Sequence, residues 1–344
     1  MTETGLAMAV KAALEEWTHT DSFAQRRSQL EDPSALSNSL GQDVLDRLSR
    51  AKQAGDFLCD FFLRAPFRHL SDVFDSADIG DTPTQFFPIP DTEGTLASRA
   101  AALALHGALA IESISYGSEN DGHLFVNLVA IPDPGALGEK SKKGMRGHTD
   151  GVSFPFPHED DADDPRIAPA PDFVTLMGLR NRRRVATTVI PVSDVLAQLS
   201  SNDIVELSKP QYSIRSQKTF IQGMKKILQR ELVVIDTPIL KPVGKETLIR
   251  YSHSNVQATV EGGPAEMAAR NLEKACIEAT RRIVMQPGDV LVINNRLSLH
   301  GREEVGEDTG RDSRWLLRTY GLGTQGLPNH KRHLNGQASH VLFP

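Results

Sequence analysis

Apolar residues recur at helical spacing near the start of the chain. Leu6, Val10, Ala13, Leu14 and Trp17 fall at i, i+4, i+7, i+8 and i+11, one face of an α-helix. A second helix is predicted over about 44–63, and the Ala-rich stretch 95–113 is helix-prone. Between them, 81–94 holds three prolines and predicts a loop. From about residue 123 the texture changes to short apolar runs separated by turn residues, at 124–131, 173–179, 185–192, 232–235, 247–251, 290–293 and 315–320. Seven short strands with this spacing predict a sandwich or barrel. One helix interrupts them: Ala268, Leu272, Ala275, Cys276, Ala279 and Ile283 share a face, and Gly262-Gly263-Pro264 precedes it. The polar, mixed stretch 196–230 reads as an insertion or lid. The expectation is a mainly β protein with flanking helices: a helical region at 1–115, a core at 116–330 and a mobile tail at 331–344.

Composition narrows the function classes. With 38 Lys+Arg against 44 Asp+Glu, the net charge of −6 gives no basic footprint for nucleic acid. No stretch approaches the ~18 uninterrupted apolar residues of a membrane span. The N-terminus carries acids where a signal peptide carries basic residues, and two cysteines, Cys59 and Cys276, exclude a disulfide framework. A cytoplasmic protein is expected, monomeric or homo-oligomeric. Two charge runs, Glu159/Asp160/Asp161/Asp163/Asp164 and Arg180/Arg182/Arg183/Arg184, read as a solvated loop and a hairpin tip. The acidic run is also a conceivable screen for a cationic substrate.

The chemistry lies in three elements. His148-Thr-Asp150 follows a Gly-rich basic turn; on a strand, residues i and i+2 point the same way, as two ligands of one metal must. The run from Gln286 through Pro287-Gly288-Asp289 launches an apolar strand, and His300 stands beyond the short turn that follows, in His300-Gly301-Arg302. Two histidines and one carboxylate form a facial set that leaves positions open, the arrangement of non-haem Fe(II) oxygenases. Third, Arg314 and Arg318 lie four apart, so on a strand both guanidinium groups share a face. An inward arginine is costly without an anion, and a bidentate carboxylate is its natural partner. Two arginines therefore suggest two carboxylates, one from a co-substrate and one from a substrate.

Together these elements resemble the clavaminate synthase-like branch of the Fe(II)/2-oxoglutarate-dependent oxygenases, of the TauD/TfdA type, which includes oxygenases of free amino acids. The resemblance covers roughly 123–322. It implies a distorted double-stranded β-helix, or jelly roll. It implies Fe(II) held by His148, Asp150 and His300, with 2-oxoglutarate as co-substrate and dioxygen as oxidant. Arg314 would hold the far carboxylate of 2-oxoglutarate, with Thr187 of the hairpin 173–188 beside it, and Arg318 would meet the substrate carboxylate. The reaction implied is hydroxylation of an unactivated C–H of a free amino acid, lysine first, or of an amino-acid-derived metabolite; desaturation or cyclisation are related outcomes. The chain departs from the branch at Asp150, where relatives mostly carry Glu, and at an insertion, 158–167. It also departs at Arg250-Tyr251-Ser252-His253-Ser254, where relatives often carry Arg-Tyr-Asp-x-Asp. Two other readings use the same residues: a zinc hydrolase, which has no use for Arg314 and Arg318, and a non-catalytic jelly-roll binding protein. Asn294 and Asn295 are expected to shape the turn before His300.

Overall fold

The structure, a computed structural model, describes residues 2–51, 64–132, 135, 138, 141–156, 159–306, 309–333 and 339–344. The first amphipathic pattern forms α1 (Glu3–Thr20), capped by Thr2, and buries Leu6, Val10, Ala13, Leu14 and Trp17. After α2 (Phe23–Gln29), α3 (Pro33–Arg50) starts well before the expected residue 44, because Asp32 caps it and Pro33 fills its first turn. The rest of that predicted helix, 52–63, lies outside the described residues, as does Cys59. Strand β1 (Phe67–Leu70) precedes α4 (Glu93–Ala108). The Ala-rich helix stops short of residue 113: Ala110 takes φ 53°, and Glu112–Tyr116 becomes β2, burying Ile114 and Tyr116.

The remaining strands and helices follow in order. They are β3 (Val126–Val129), β4 (Met145–His148), β5 (Phe173–Arg180), β6 (Thr187–Pro191), α5 (Val192–Leu196), α6 (Ser201–Leu207), β7 (Tyr212–Arg215), α7 (Lys218–Leu228) and β8 (Val233–Thr237). Then come β9 (Leu240–Val243), β10 (Glu246–Ile249), β11 (Val256–Ala258), α8 (Pro264–Glu278), β12 (Arg281–Ile283), β13 (Val290–Asn294), β14 (Ser298–Arg302), β15 (Trp315–Leu322) and β16 (Val341–Leu342).

A seven-stranded sheet runs β1-β13-β5-β15-β2-β16, with β3 also on β15, and a four-stranded sheet runs β12-β6-β14-β4. Alternation along the strands sorts their side chains into two cores. Val290 and Val292 of β13, Phe173 and Met177 of β5, and Trp315 and Leu317 of β15 pack with α1, α3 and α4. Their neighbours Leu291, Ile293, Val174, Leu176, Leu316 and Tyr320 pack on the other side, with Val189 of β6 and Ile283 of β12. The large sheet is thus covered on both faces, by helices on one and by strands of the small sheet on the other. This is why its strands read as unbroken apolar runs instead of alternating ones.

Three expectations need correction. Ile283 is not on the helix: α8 ends at Glu278, and Ile283 pairs through β12 with Thr187 of β6. The C-terminal tail is not a free end, because Val341 and Leu342 are buried and β16 adds in parallel to β2. Nor is the acidic run simply solvated. Asp160 pairs with the buried Lys331 at 2.8 Å, whose ammonium also donates to Ile167 O, and Glu159 pairs with Lys241. Just beyond the run, Ala168 N donates to Phe343 O at 2.7 Å, so the segment after it helps seat the tail. Among the described residues, no helix is long and apolar enough to cross a membrane.

Candidate active site

Strands β4 and β14 pair antiparallel with His148 directly opposite His300, and their rings stand 4.4 Å apart. Gly301 permits this, since a Cβ there would lie 2.3 Å from Met145 O. Asp150 follows two residues after His148, in the turn that ends the strand. Its carboxylate lies 3.7 Å from His148 Nε2 and 3.4 Å from His300 Nε2. All three residues are buried, and one ligand atom from each falls within 4.8 Å of the others. His148 Nδ1 sits 3.0 Å from Arg146 O, which leaves Nε2 facing Asp150. Burial pushes the Asp150 carboxyl up, but His300, Arg318 and His148 outweigh it and hold it well below the usual carboxylate range. Two imidazole nitrogens and an ionised carboxylate converging on one point, in a buried setting, suit a divalent first-row metal.

The turn that carries Asp150 is gripped by two buried side-chain amides. Asn295 accepts from Asp150 N at 2.9 Å and donates to Asp150 O and Pro171 O, both at 3.0 Å. Gln217 accepts from Gly151 N at 3.0 Å and donates to Thr149 O at 3.2 Å, with the same nitrogen 3.4 Å from Asp150 Oδ1. Of the two asparagines expected to shape the turn before His300, Asn294 does so, accepting from Arg296 N and Leu297 N. Asn295 instead holds the candidate ligand loop. Gln217 was invisible in the sequence, a single amide in a polar stretch with no partner nearby in the chain.

Two arginines reach the same cavity from β15 and the residue just before it, on the face opposite Trp315 and Leu317. Arg314 is buried and donates to Thr187 Oγ1 at 3.0 Å. Among the described residues no carboxylate lies within salt-bridge reach of it. Burial pushes its guanidinium down to about 9, with the nearby charge of Arg302 adding to the effect. A buried cation without an anion is a costly arrangement, and its natural complement is a carboxylate from outside.

Arg318 differs. Its guanidinium makes two bonds to the Glu119 carboxylate, at 3.2 and 2.7 Å, lies 3.8 Å from Asp150 Oδ2 and stacks over the Tyr320 ring at 4.2 Å. Burial alone would lower its pKa, yet Glu119, Tyr320 and Asp150 raise it above the ordinary arginine value. Glu119, only 4% exposed, carries no sequence signal; it follows β2 and meets Arg318 through a separation of 199 residues. The cavity, about 490 Å³, has Glu119 and Asp150 as its acids among the described lining residues. Ser252, His253 and Ser254 also line it. His253 Nδ1 sits 3.2 Å from Glu273.

This geometry can be set beside known proteins. Residues 221–320 match the family described as taurine catabolism dioxygenase TauD, TfdA family. The chain is 24% identical over 237 residues to the L-lysine 3-hydroxylase of Catenulispora acidiphila. That alignment covers 67% of this chain and 60% of the relative, so it spans less than two thirds of the relative's length. Among solved structures, the non-heme iron oxygenase OrfP in complex with Fe and L-Arg superposes with a TM-score of 0.73 at 23% identity, over 98% of this chain and 97% of that one. An asparagine oxygenase in complex with Fe(II), 2S,3S-3-hydroxyasparagine and succinate gives a TM-score of 0.68 at 18% identity, over 91% and 97%. These two likenesses establish a shared fold.

Proposed function

We propose that this chain is an Fe(II)- and 2-oxoglutarate-dependent dioxygenase that hydroxylates an unactivated C–H of a free α-amino acid, lysine first, or of an amino-acid-derived metabolite. One observation carries the reading: a buried His148/Asp150/His300 donor set shares a cavity with Arg314, which has no carboxylate in salt-bridge reach among the described residues, and an arginine–carboxylate pair, Arg318–Glu119. In this reading His148, Asp150 and His300 hold the iron. Arg314 and Thr187 hold the far carboxylate of 2-oxoglutarate. Bound iron, with 2-oxoglutarate and dioxygen, supplies the oxidising power that inserts oxygen into the C–H bond.

The chain's own part is to bind, orient and exclude water. Arg318 offers its fork to the substrate α-carboxylate, and Glu119 offers an acceptor to the α-ammonium, so the two ends of a zwitterion meet complementary charges side by side. That places the substrate next to Asp150, 3.8 Å from Arg318. The L-lysine 3-hydroxylase relative supports an amino-acid substrate. The two covered faces of the large sheet support the jelly-roll reading of the core, with α1, α3 and α4 packed on one face while β1 and β2 of the same N-terminal region join the sheet itself, α7 of the insertion beside the site, and Val341–Leu342 seated on β2. Two cysteines so far apart in sequence support a cytoplasmic setting.

The test is an anaerobic titration with Fe(II) and 2-oxoglutarate, followed by a screen of amino acids. A visible charge-transfer band that shifts with one amino acid, and oxygen gain in the product by mass spectrometry, are expected. Turnover with zinc and no oxygen, or no band at saturating iron and 2-oxoglutarate, would overturn the reading.

A further inference from the structure

Helix α7 touches both halves of the site. At its N-terminal end, Gln217 holds the loop of Asp150 through Gly151 N, Thr149 O and the 3.4 Å approach to Asp150 Oδ1. In its middle, Gly223 lies on the backbone just before Glu119: a Cβ there would sit 2.2 Å from Ser118 O and 2.5 Å from Ser118 C. Only a residue without a side chain tolerates that approach. Between these points the buried Phe220 packs against Tyr116 of β2 at 6.0 Å and Phe154 at 5.3 Å. Phe154 N donates to Gly151 O at 2.8 Å, which ties the aromatic cluster to the same loop. Ser216 Oγ, one residue before Gln217, lies 2.9 Å from Ser153 Oγ.

Asn295 and Gln217 therefore do different work on one loop. Asn295 belongs to the turn between β13 and β14, within the core. Gln217 belongs to a segment whose next two residues, Lys218 and Thr219, line the cavity. Anything that presses on Glu119 presses on Ser118, and Ser118 is in contact with α7.

We propose that α7 is a mechanical link between the substrate clamp and the metal ligand. In this link Gln217 is a positioning residue: it sets the Asp150 carboxylate when an amino acid occupies the Glu119–Arg318 pair. The proposal rests on the oxygenase reading for the identity of both ends, but the link itself is a property of the protein alone. A packed helix transmits such a shift as a unit, since closely packed interiors switch between arrangements and do not deform smoothly.

The experiment compares the wild type with Gln217→Ala and Gly223→Ala, each first checked for a native circular-dichroism spectrum. In metal-free protein, hydrogen exchange at the amides of 149–151 should slow at least tenfold when L-lysine is added to the wild type. In Gln217→Ala that response should vanish. In the Fe(II)·2-oxoglutarate complex, Gln217→Ala should keep the charge-transfer band but lose most of its amino-acid-induced shift. Gln217→Glu, which retains the acceptor for Gly151 N but loses the donor, should restore protection of Gly151 without restoring the shift. Gly223→Ala should raise the amino acid concentration needed for half-shift at least tenfold. Full exchange response and full band shift in Gln217→Ala would overturn the link. A wild type that forms no band would overturn the oxygenase reading instead, whereas a wild type that forms the band and shows no exchange response to L-lysine would overturn the link.

Discussion

Arg314 and Thr187 stand 127 residues apart in the chain and meet at 3.0 Å, the guanidinium donating to the hydroxyl inside the cavity. Among the described residues, no carboxylate joins this pair, and the guanidinium lines the cavity. A hydroxyl can satisfy one N–H, but it cannot neutralise the charge, and burial has already pushed Arg314 down to about 9. An incoming carboxylate resolves both deficits at once.

Replacing Arg314 by Lys keeps a charge and loses the planar fork, which a compact ammonium does not reproduce. The 2-oxoglutarate concentration for half-maximal rate should rise by roughly tenfold to a hundredfold, in line with about 1.5–3 kcal/mol for a charged hydrogen bond. Thr187→Val should raise it less, by roughly fivefold, since a neutral hydrogen bond contributes about 1 kcal/mol. Steady-state kinetics at saturating amino acid read both numbers. An unchanged 2-oxoglutarate requirement in Arg314→Lys would refute its role.

The Glu119–Arg318 pair predicts a contrasting result. Glu119→Gln leaves Arg318 buried with a neutral partner and only the more distant Asp150 carboxylate, 3.8 Å away, to balance its charge, and a wholly uncompensated buried charge is destabilising by about 3–5 kcal/mol. Loss from Gln is expected to be smaller, because its carbonyl still accepts. The apparent affinity for the amino acid should fall at least tenfold while the 2-oxoglutarate requirement stays near wild type. Arg318→Lys should follow the same pattern. Equal loss for both ligands in either variant would mean that the pair supports the cavity wall and not the substrate.

Much of this site could be read from the chain because its residues sit in short-range patterns. His148 and Asp150 are two apart at the end of a strand, and Arg314 and Arg318 are four apart on one face; such spacings survive any tertiary arrangement. Glu119, Gln217 and Asn295 carry no comparable pattern. Each acts through a contact across scores of residues, and a lone carboxylate or amide in a polar stretch resembles any solvated loop residue. The fold shows the same division. The helix over Leu6–Trp17 and the apolar strands were legible, whereas β14, Ser-Leu-His-Gly-Arg, has too little hydrophobic signal to stand out. The tail was misread because Val341 and Leu342 are buried by pairing with β2, more than two hundred residues earlier in the chain.

His148→Ala and His300→Ala should each remove metal binding and turnover while the protein stays folded, because a three-donor set has no spare ligand. Both rings come from strands held by register, so the β4–β14 pairing does not need the imidazoles. Metal content after anaerobic loading, with circular dichroism as the fold control, reads the outcome. Near-wild-type activity of either variant at saturating iron would remove that histidine from the set.

The last prediction concerns His106, which the function does not use. It lies on α4, fully buried, with Nδ1 2.7 Å from Ser113 Oγ and Nε2 2.9 Å from Thr175 Oγ1. Both partners are hydroxyls, which can match a neutral ring by donating to one nitrogen and accepting from the other. Burial pushes the ring down to about 3, far below its ordinary 6.5. A depressed pKa means that the unfolded chain takes up a proton that the folded one refuses. The contribution of His106 is therefore fully present above about pH 6.5 and is lost progressively as the pH falls toward about 3. Each pH unit inside that window costs about 1.4 kcal/mol, so acidification from pH 6.5 to 5 should remove roughly 2 kcal/mol through this residue. His106→Gln, which keeps an amide donor and acceptor but does not titrate, should lower stability at pH 7 and flatten the acid slope between pH 6.5 and 5. Urea unfolding of both proteins at a series of pH values decides it: parallel pH profiles for wild type and variant would show that the acid sensitivity lies elsewhere.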